Sequence, residues 1–281
     1  MVHITECPRD AMQGVSHFIP TQQKIEYLNS LIHLGFDVLD FGSFVSPKAI
    51  PQLSDTAGVI EKLNLDKTKT KLLAIIATPK GADIAAQYEQ ISYLGYPFSF
   101  SETFLKKNLN SSIDQAIRYT DYFQKLCTKE NKFLLQYISM AFGNPYGDAW
   151  TYDILYRWIK QFDSMGIKNI TLSDVTGEAN ATQLFEIYSH IIPAFPHIKF
   201  GLHLHQSPQQ SMQLVDSAYR AGCRHFDTVL NDKGGCPMSG KGLVQNLNTF
   251  EFLTYLEQND IAHSIEKIGL TKSLEMANLI F

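Results

Sequence analysis

The chain has 281 residues, 44% of them apolar and 19% charged, and its 24 basic and 28 acidic side chains leave a net charge of −4. That size suits a single α/β barrel, and the composition predicts a packed core rather than disorder. No extended Lys/Arg block marks a nucleic-acid or anionic-membrane surface, and no segment approaches the roughly 20 apolar residues of a membrane span.

In chain order, short apolar or β-branched runs alternate with longer stretches of helical period. Strands are expected at 2–7, 36–41, 71–77, 96–100, 133–140, 167–173, 198–205 and 225–230, the fourth having the weakest pattern. Because strand-like sequence begins at Val2, no signal or transit peptide is expected. Helix 21–34 carries Ile25, Leu28, Leu31 and Ile32 on one stripe, with Thr21 expected to cap it and Gly35 to end it. Comparable units occupy 150–165, stopped by Gly166, and 207–221, stopped by Gly222. The segment after the eighth strand is expected to form two further helices.

Alternating βα units imply a parallel sheet, because each helix returns the chain to the same end. Eight of them predict a (β/α)8 TIM barrel with extra C-terminal helices, forming one catalytic domain over residues 1–281. An open doubly wound sheet is the competing architecture, but no Gly-x-Gly-x-x-Gly follows the first strand. Cys7, Cys127, Cys223 and Cys236 form no Cys-x-x-Cys and are too few for a disulfide scaffold. A reducing, cytoplasmic location is therefore expected.

The most informative local feature is His203-Leu204-His205. Side chains alternate along a strand, so Ile198, Phe200, Leu202 and Leu204 share one apolar face while both imidazoles share the other. In a barrel the active site lies at the C-terminal strand ends, and those ends are polar here. The first strand runs into Glu6-Cys7-Pro8-Arg9-Asp10, the second into Asp40-Phe41-Gly42-Ser43, and the sixth into Ser173-Asp174. After the eighth come Lys233-Gly234-Gly235-Cys236-Pro237 and then Asn246. Each has a plain structural alternative: Arg9 with Asp10 as a turn-side ion pair, Asp174 as a helix cap, Asn246 as a helix start. Gathered at one rim, a carboxylate, two imidazoles and an amide oxygen make a mixed N/O metal site. Tetrahedral histidine ligation suits Zn²⁺, whereas an oxygen-rich octahedral shell suits Mg²⁺ or Mn²⁺. Such an ion polarises a hydroxyl or carbonyl, and Arg9 supplies a fixed cation beside it. The glycine-rich stretch around Cys236 has the backbone freedom of a lid, with an unreactive thiol as the alternative.

Pro8-Arg9-Asp10, Gly42-Ser43-Phe44-Val45-Ser46-Pro47-Lys48, Pro51-Gln52, Ser101-Glu102 with Lys106-Lys107-Asn108, His203-x-His205 and Gly234-Gly235-Cys236-Pro237 together resemble the 3-hydroxy-3-methylglutaryl-CoA lyases of the DRE-TIM metallolyase superfamily. The resemblance runs along essentially the whole chain. It implies metal ligation by Asp10, His203, His205 and Asn246, and catalytic roles for Arg9, Asp10, His203 and Cys236. Substrate contacts are expected from Arg9, Gln13, Ser43, Lys48, Asp174, Lys106 and Lys107. The implied reaction is retro-Claisen cleavage of an acyl-CoA to acetoacetate and acetyl-CoA, with Mg²⁺ or Mn²⁺ expected, Zn²⁺ as the alternative, and no organic cofactor. A homodimer and a place in leucine catabolism and ketone-body formation are also implied.

Departures accompany the matches. Gln206 stands where the family usually has Asp, Phe250 where it has Glu, Asp40 where Glu is common and Val175 where Thr is common. Two other functions therefore stay in view: a related aldolase or Claisen-condensing enzyme acting on a 2-oxo acid, and a non-catalytic barrel that binds metal or acyl-CoA.

Overall fold

The computed structural model describes residues 1–232 and 245–281. In chain order the elements are β1 (His3–Glu6), α1 (Pro8–Gln13), α2 (Thr21–Ile32), β2 (Val38–Ser43), α3 (Thr56–Ile60), β3 (Lys71–Ile75), α4 (Pro79–Ala86), β4 (Ile91–Ser99) and α5 (Glu102–Leu109). There follow α6 (Ile113–Lys129), β5 (Phe133–Ser139), α7 (Tyr152–Ser164), β6 (Asn169–Asp174), α8 (Ala181–Ala194), β7 (Lys199–Gln206), α9 (Pro208–Arg220), β8 (His225–Thr228), β9 (Gln245–Asn246), α10 (Thr249–Gln258) and α11 (Lys267–Ile280).

Strands β1 to β8 pair in parallel, β8 with β1 and β6 with β7, so the described sheet closes on itself. This is the expected (β/α)8 barrel, and α10 and α11 are the two expected C-terminal helices. Closure gives two environments. Outward-facing Leu39, Leu72, Leu94, Ile138, Leu172 and Leu202 join the helices in the main core. The inner face holds a smaller apolar cluster of Leu73, Ile75 and Tyr137, with Val38, Tyr93 and Leu135 against it.

Local chemistry sets the ends of the elements. Ser101, Ser112, Thr151, Asn180 and Asn248 each accept a hydrogen bond from a backbone N–H in the first turn of α5, α6, α7, α8 and α10. Thr21 does not cap α2: the cap position is Pro20, and the Thr21 hydroxyl donates instead to Asp55 Oδ2 at 2.7 Å. β4 begins five residues before the expected start, because Ser92, Gly95 and Pro97 break its apolar run. Pro97 is tolerated because the pairing of β4 with β3 has ended at Gly95. Gly95 is required for packing, since a Cβ there would lie 2.6 Å from Ile75 Cδ1.

The C-terminal segment is fastened to the barrel beside α2. Ser264 Oγ donates to the Gly35 carbonyl at 2.6 Å, and the Glu266 N–H donates to the Leu34 carbonyl at 2.8 Å. Gly35 has φ +88°, and a Cβ there would sit 2.1 Å from the Ser264 carbonyl oxygen. Gly35→Ala is expected to destabilise the protein by about 2–3 kcal/mol, from left-handed backbone strain plus the displaced segment. Urea denaturation measures it, and a loss below about 0.5 kcal/mol would contradict the docking described.

Candidate metal and substrate site

The turn from β1 into α1 and the strands β7 and β9 build the site. β1 delivers the chain into α1, where Pro8 occupies the first turn and Arg9, Asp10 and Gln13 follow. β7 carries His203 and His205 on the barrel interior, and the two-residue β9 pairs antiparallel with its end, setting Asn246 opposite His205. The donor atoms converge. His203 Nε2 and His205 Nε2 are 2.9 Å apart, His205 Nε2 is 3.5 Å from Asp10 Oδ2, and Asn246 Nδ2 donates to Asp10 Oδ2 at 2.9 Å.

This donor set fits a divalent cation. Asp227, which pairs in register with His203, meets its Nδ1 at 3.1 Å. That contact places the ring proton on Nδ1 and leaves the Nε2 lone pair facing His205 and Asp10. The Asn246 amide needs only rotation about its last side-chain bond to turn its oxygen inward. Asp10 is held well below the usual carboxylate range: burial opposes its charge, but Arg9, then His205 and His203, outweigh that cost. An ionised carboxylate beside two imidazole nitrogens is what a hard or borderline cation takes.

Arg9 is fixed from two sides. Its Nε and Nη2 donate to Asp40 Oδ2 at 2.9 and 2.6 Å, and its Nη1 donates to Asp10 at 3.0 Å and Gln13 at 3.1 Å. Burial opposes its charge, yet Asp40 and Asp10 hold its pKa above the ordinary arginine value. Asp40 uses one oxygen for both contacts, and its buried Oδ1 has no partner among the described residues. Among the described residues the four hydrogen bonds leave one of the five guanidinium donors unengaged.

Above the cluster opens a cavity of about 780 Å³. Arg9, Asp10, His203 and His205 form part of its wall, Ile75, Phe104 and Tyr137 give apolar surface, and Lys107 contributes a cation. The Lys107 ammonium also lies 4.4 Å from the centre of the Tyr146 ring. Gln13 lines the same space, whereas Ser43, Lys48, Lys106 and Asp174 are not among the described lining residues. Ser43 is buried and donates to the Ile75 carbonyl at 3.2 Å, and Lys48 and Lys106 are solvent-exposed. Asp174 accepts from the N–H groups of Glu178 and Ala179 at 2.9 and 3.0 Å, capping the loop before α8. Gln206 donates to the same carboxylate at 3.2 Å, so the neutral amide ties β7 to that loop. Phe250, in the first turn of α10, packs against the core, and Cys236 lies outside the described residues.

Sequence reasoning missed Asp227, which had a usable signal, standing two residues after His225 on the inner face of the neighbouring strand. It placed Glu6 in the polar end of the first strand but gave it no role. Fully buried, its Oε1 accepts from the Leu230 N–H at 2.6 Å, while its Oε2 accepts from Thr249 Oγ1 at 2.7 Å and Thr228 Oγ1 at 3.1 Å. One carboxylate thus fastens β1 to the chain on both sides of residues 233–244. Burial pushes its pKa from 4.5 up to about 7, against the three hydrogen bonds. A raised carboxyl pKa contributes stability that is complete below about pH 4.5 and is lost as pH rises through about 7. Glu6→Gln has no such titration. The stability difference is therefore expected to move in favour of the variant by up to ~3 kcal/mol between pH 4.5 and about pH 8. Urea denaturation at several pH values measures it, and a pH-independent difference would contradict the assignment.

Comparison with known proteins agrees with this geometry. The HMGL-like family model matches residues 3–276. A hydroxymethylglutaryl-CoA lyase of Bacillus subtilis is 29% identical over 273 residues, 97% of this chain and 89% of the relative. The mitochondrial hydroxymethylglutaryl-CoA lyase of Macaca fascicularis is 30% identical over 275 residues, 97% of this chain and 82% of the relative. An HMG-CoA lyase from Acinetobacter baumannii, solved with coenzyme A and 3-methylmalate, superposes with a TM-score of 0.92 at 28% identity, covering 100% of this chain and 91% of the other. On the extent of the family match, this chain belongs to the HMGL-like family.

Proposed function

We propose that this protein is a divalent-metal-dependent carbon–carbon lyase that cleaves 3-hydroxy-3-methylglutaryl-CoA, or a close 3-hydroxy-3-alkyl acyl-CoA, to acetoacetate and acetyl-CoA. The observation that carries the reading is the convergence of Asp10, His203, His205 and Asn246 beneath a cavity large enough for the acyl end of a thioester. Relatives of about 30% identity that carry this activity support it over the condensing and non-catalytic alternatives. The liganded A. baumannii structure supports an acyl-CoA as the bound class.

In this reading Asp10, His203, His205 and Asn246 hold the ion, Mg²⁺ or Mn²⁺. When bound, the ion supplies Lewis-acid charge to the substrate's hydroxyl and carbonyl oxygens. The reaction removes the proton of the 3-hydroxyl, breaks the bond between C2 and C3, and moves that electron pair onto the thioester as an enolate, which is then protonated at C2. Arg9 directs its remaining N–H toward the thioester oxygen as charge develops there. Because Asp40 and Asp10 already fix the guanidinium, it needs no rearrangement to act. Asp10, held ionised, suits cation binding better than proton carriage. Asp227 fixes the orientation of His203. The apolar wall of Phe104, Ile75 and Tyr137 keeps water from the enolate, and Lys107 meets the anionic coenzyme end. The family resemblance assigns Cys236 to proton handling within the closed site.

The same reading takes residues 1–281 as one catalytic domain that works in the cytoplasm as a homodimer. No helix among the described residues is long and apolar enough to cross a membrane.

Purified protein with Mn²⁺ or Mg²⁺ under reducing conditions is expected to release acetoacetate from 3-hydroxy-3-methylglutaryl-CoA. No product from that thioester, with product from pyruvate and an acyl-CoA instead, would favour the condensing alternative. Cys236→Ser is expected to lose most turnover while keeping affinity for CoA. Asp227→Asn is expected to weaken Mn²⁺ binding by about 10–100-fold through loss of His203 orientation, as read by calorimetry. Unchanged Mn²⁺ affinity in that variant would remove Asp227 from the metal-holding machinery.

A further inference from the structure

The opposite mouth of the barrel, at the N-terminal ends of the strands, holds a second cavity of about 670 Å³ that the lyase chemistry does not use. Its interior is two-sided. Val38, Tyr93 and Leu135 form an apolar wall, and Thr5, Thr171 and His225 face them. Thr5 is 9% exposed and Thr171 3% exposed, and neither hydroxyl makes a protein hydrogen bond among the described residues. Gly201 keeps this corner open, since a Cβ there would lie 2.6 Å from Thr171 Oγ1 and 3.6 Å from His225 Cβ. Two buried hydroxyls thus line a space that an added Cβ at Gly201 would crowd.

The rim is cationic although the chain as a whole carries −4. Lys67, Lys69, Lys71 and Lys199 border the cavity, against the carboxylates of Asp37 and Glu266. Asp37 is already engaged, accepting from the Ile4 N–H at 2.9 Å and meeting His3 Nδ1 at 2.7 Å. His3 stacks on His225 with ring centroids 4.7 Å apart and planes 13° from parallel. Burial, then His3 and Lys199, push His225 down to about 4, which accords with positive potential at this depth.

We infer that this mouth is a second ligand site, one that takes a phosphate group, with Lys71 and Lys199 meeting its charge and the hydroxyls of Thr5 and Thr171 its oxygens. Free phosphate and a phosphorylated small molecule share that chemistry. The apolar wall of Val38, Tyr93 and Leu135 favours the second.

Thermal unfolding of the full chain with 10 mM inorganic phosphate, 10 mM phenyl phosphate, or chloride of matched ionic strength tests the site. Both phosphates are expected to raise Tm by about 2–4 °C over chloride, a binding-linked gain. The gain is expected to be lost in a Lys71→Gln/Lys199→Gln variant, reduced in Thr171→Val, and retained in Lys107→Gln at the other mouth. A larger gain from phenyl phosphate assigns the site to organic phosphates, and equal gains assign it to the free ion. A gain matched by chloride, or one lost in Lys107→Gln and kept in the double variant, would overturn the proposal.

Discussion

The pairing of β7 between β6 and β8 is the constraint on which the rest of the site depends. Phe200, Leu202 and Leu204 face the helices and are almost wholly buried, so a one-residue slip would move that row off the helices into the barrel interior and turn His203 and His205 into the helix layer. Hydrophobic burial on one face of the strand therefore fixes the position of the imidazoles on the other. The same pairing closes the barrel, brings Asp227 alongside His203, and offers the edge to which β9 attaches. Fold stability and site geometry are two faces of one strand.

The electrostatics follow from how little water reaches this rim. Arg9, Asp10 and Asp40 are all at least nine-tenths buried, and the Arg9 guanidinium favours the charge on both carboxylates against the cost of burial. Such a triad, two carboxylates sharing one guanidinium, is costly to assemble and rigid once formed. Its value here is geometric, since a guanidinium held on both sides keeps Asp10 anionic and aimed at the imidazoles. At the adjacent loop the neutral amide of Gln206 donates to Asp174 and to the Ala179 carbonyl, a link that an ionised carboxylate could not make.

What was legible in the sequence were the features governed by local period. The alternation around His203 and His205, the apolar stripe of α2 and the βα rhythm each reflect a face that must be buried, so they predicted the barrel and its active end. Features set by other parts of the chain were not legible. β4 could not be bounded, because Gly95 and Pro97 make sense only once Ile75 and the end of β3 are beside them. Asn246 read equally well as a helix start, yet Asn248 holds that place and Asn246 lies in a two-residue strand visible only from its partner. Glu6 read as one polar residue among several at the end of the first strand, and its role was hidden because its three donors come from β8, the residues after it, and α10.

The central claim is that Asp10, His203, His205 and Asn246 hold one divalent cation. Pulsed electron paramagnetic resonance of Mn²⁺ bound to the purified protein tests it most directly, because directly ligating imidazole nitrogens modulate the electron spin echo. The account predicts a single Mn²⁺ per chain coupled to two histidine nitrogens, with one coupling lost in His205→Ala. Bound Mn²⁺ without nitrogen coupling, or with couplings unchanged in that variant, would contradict it.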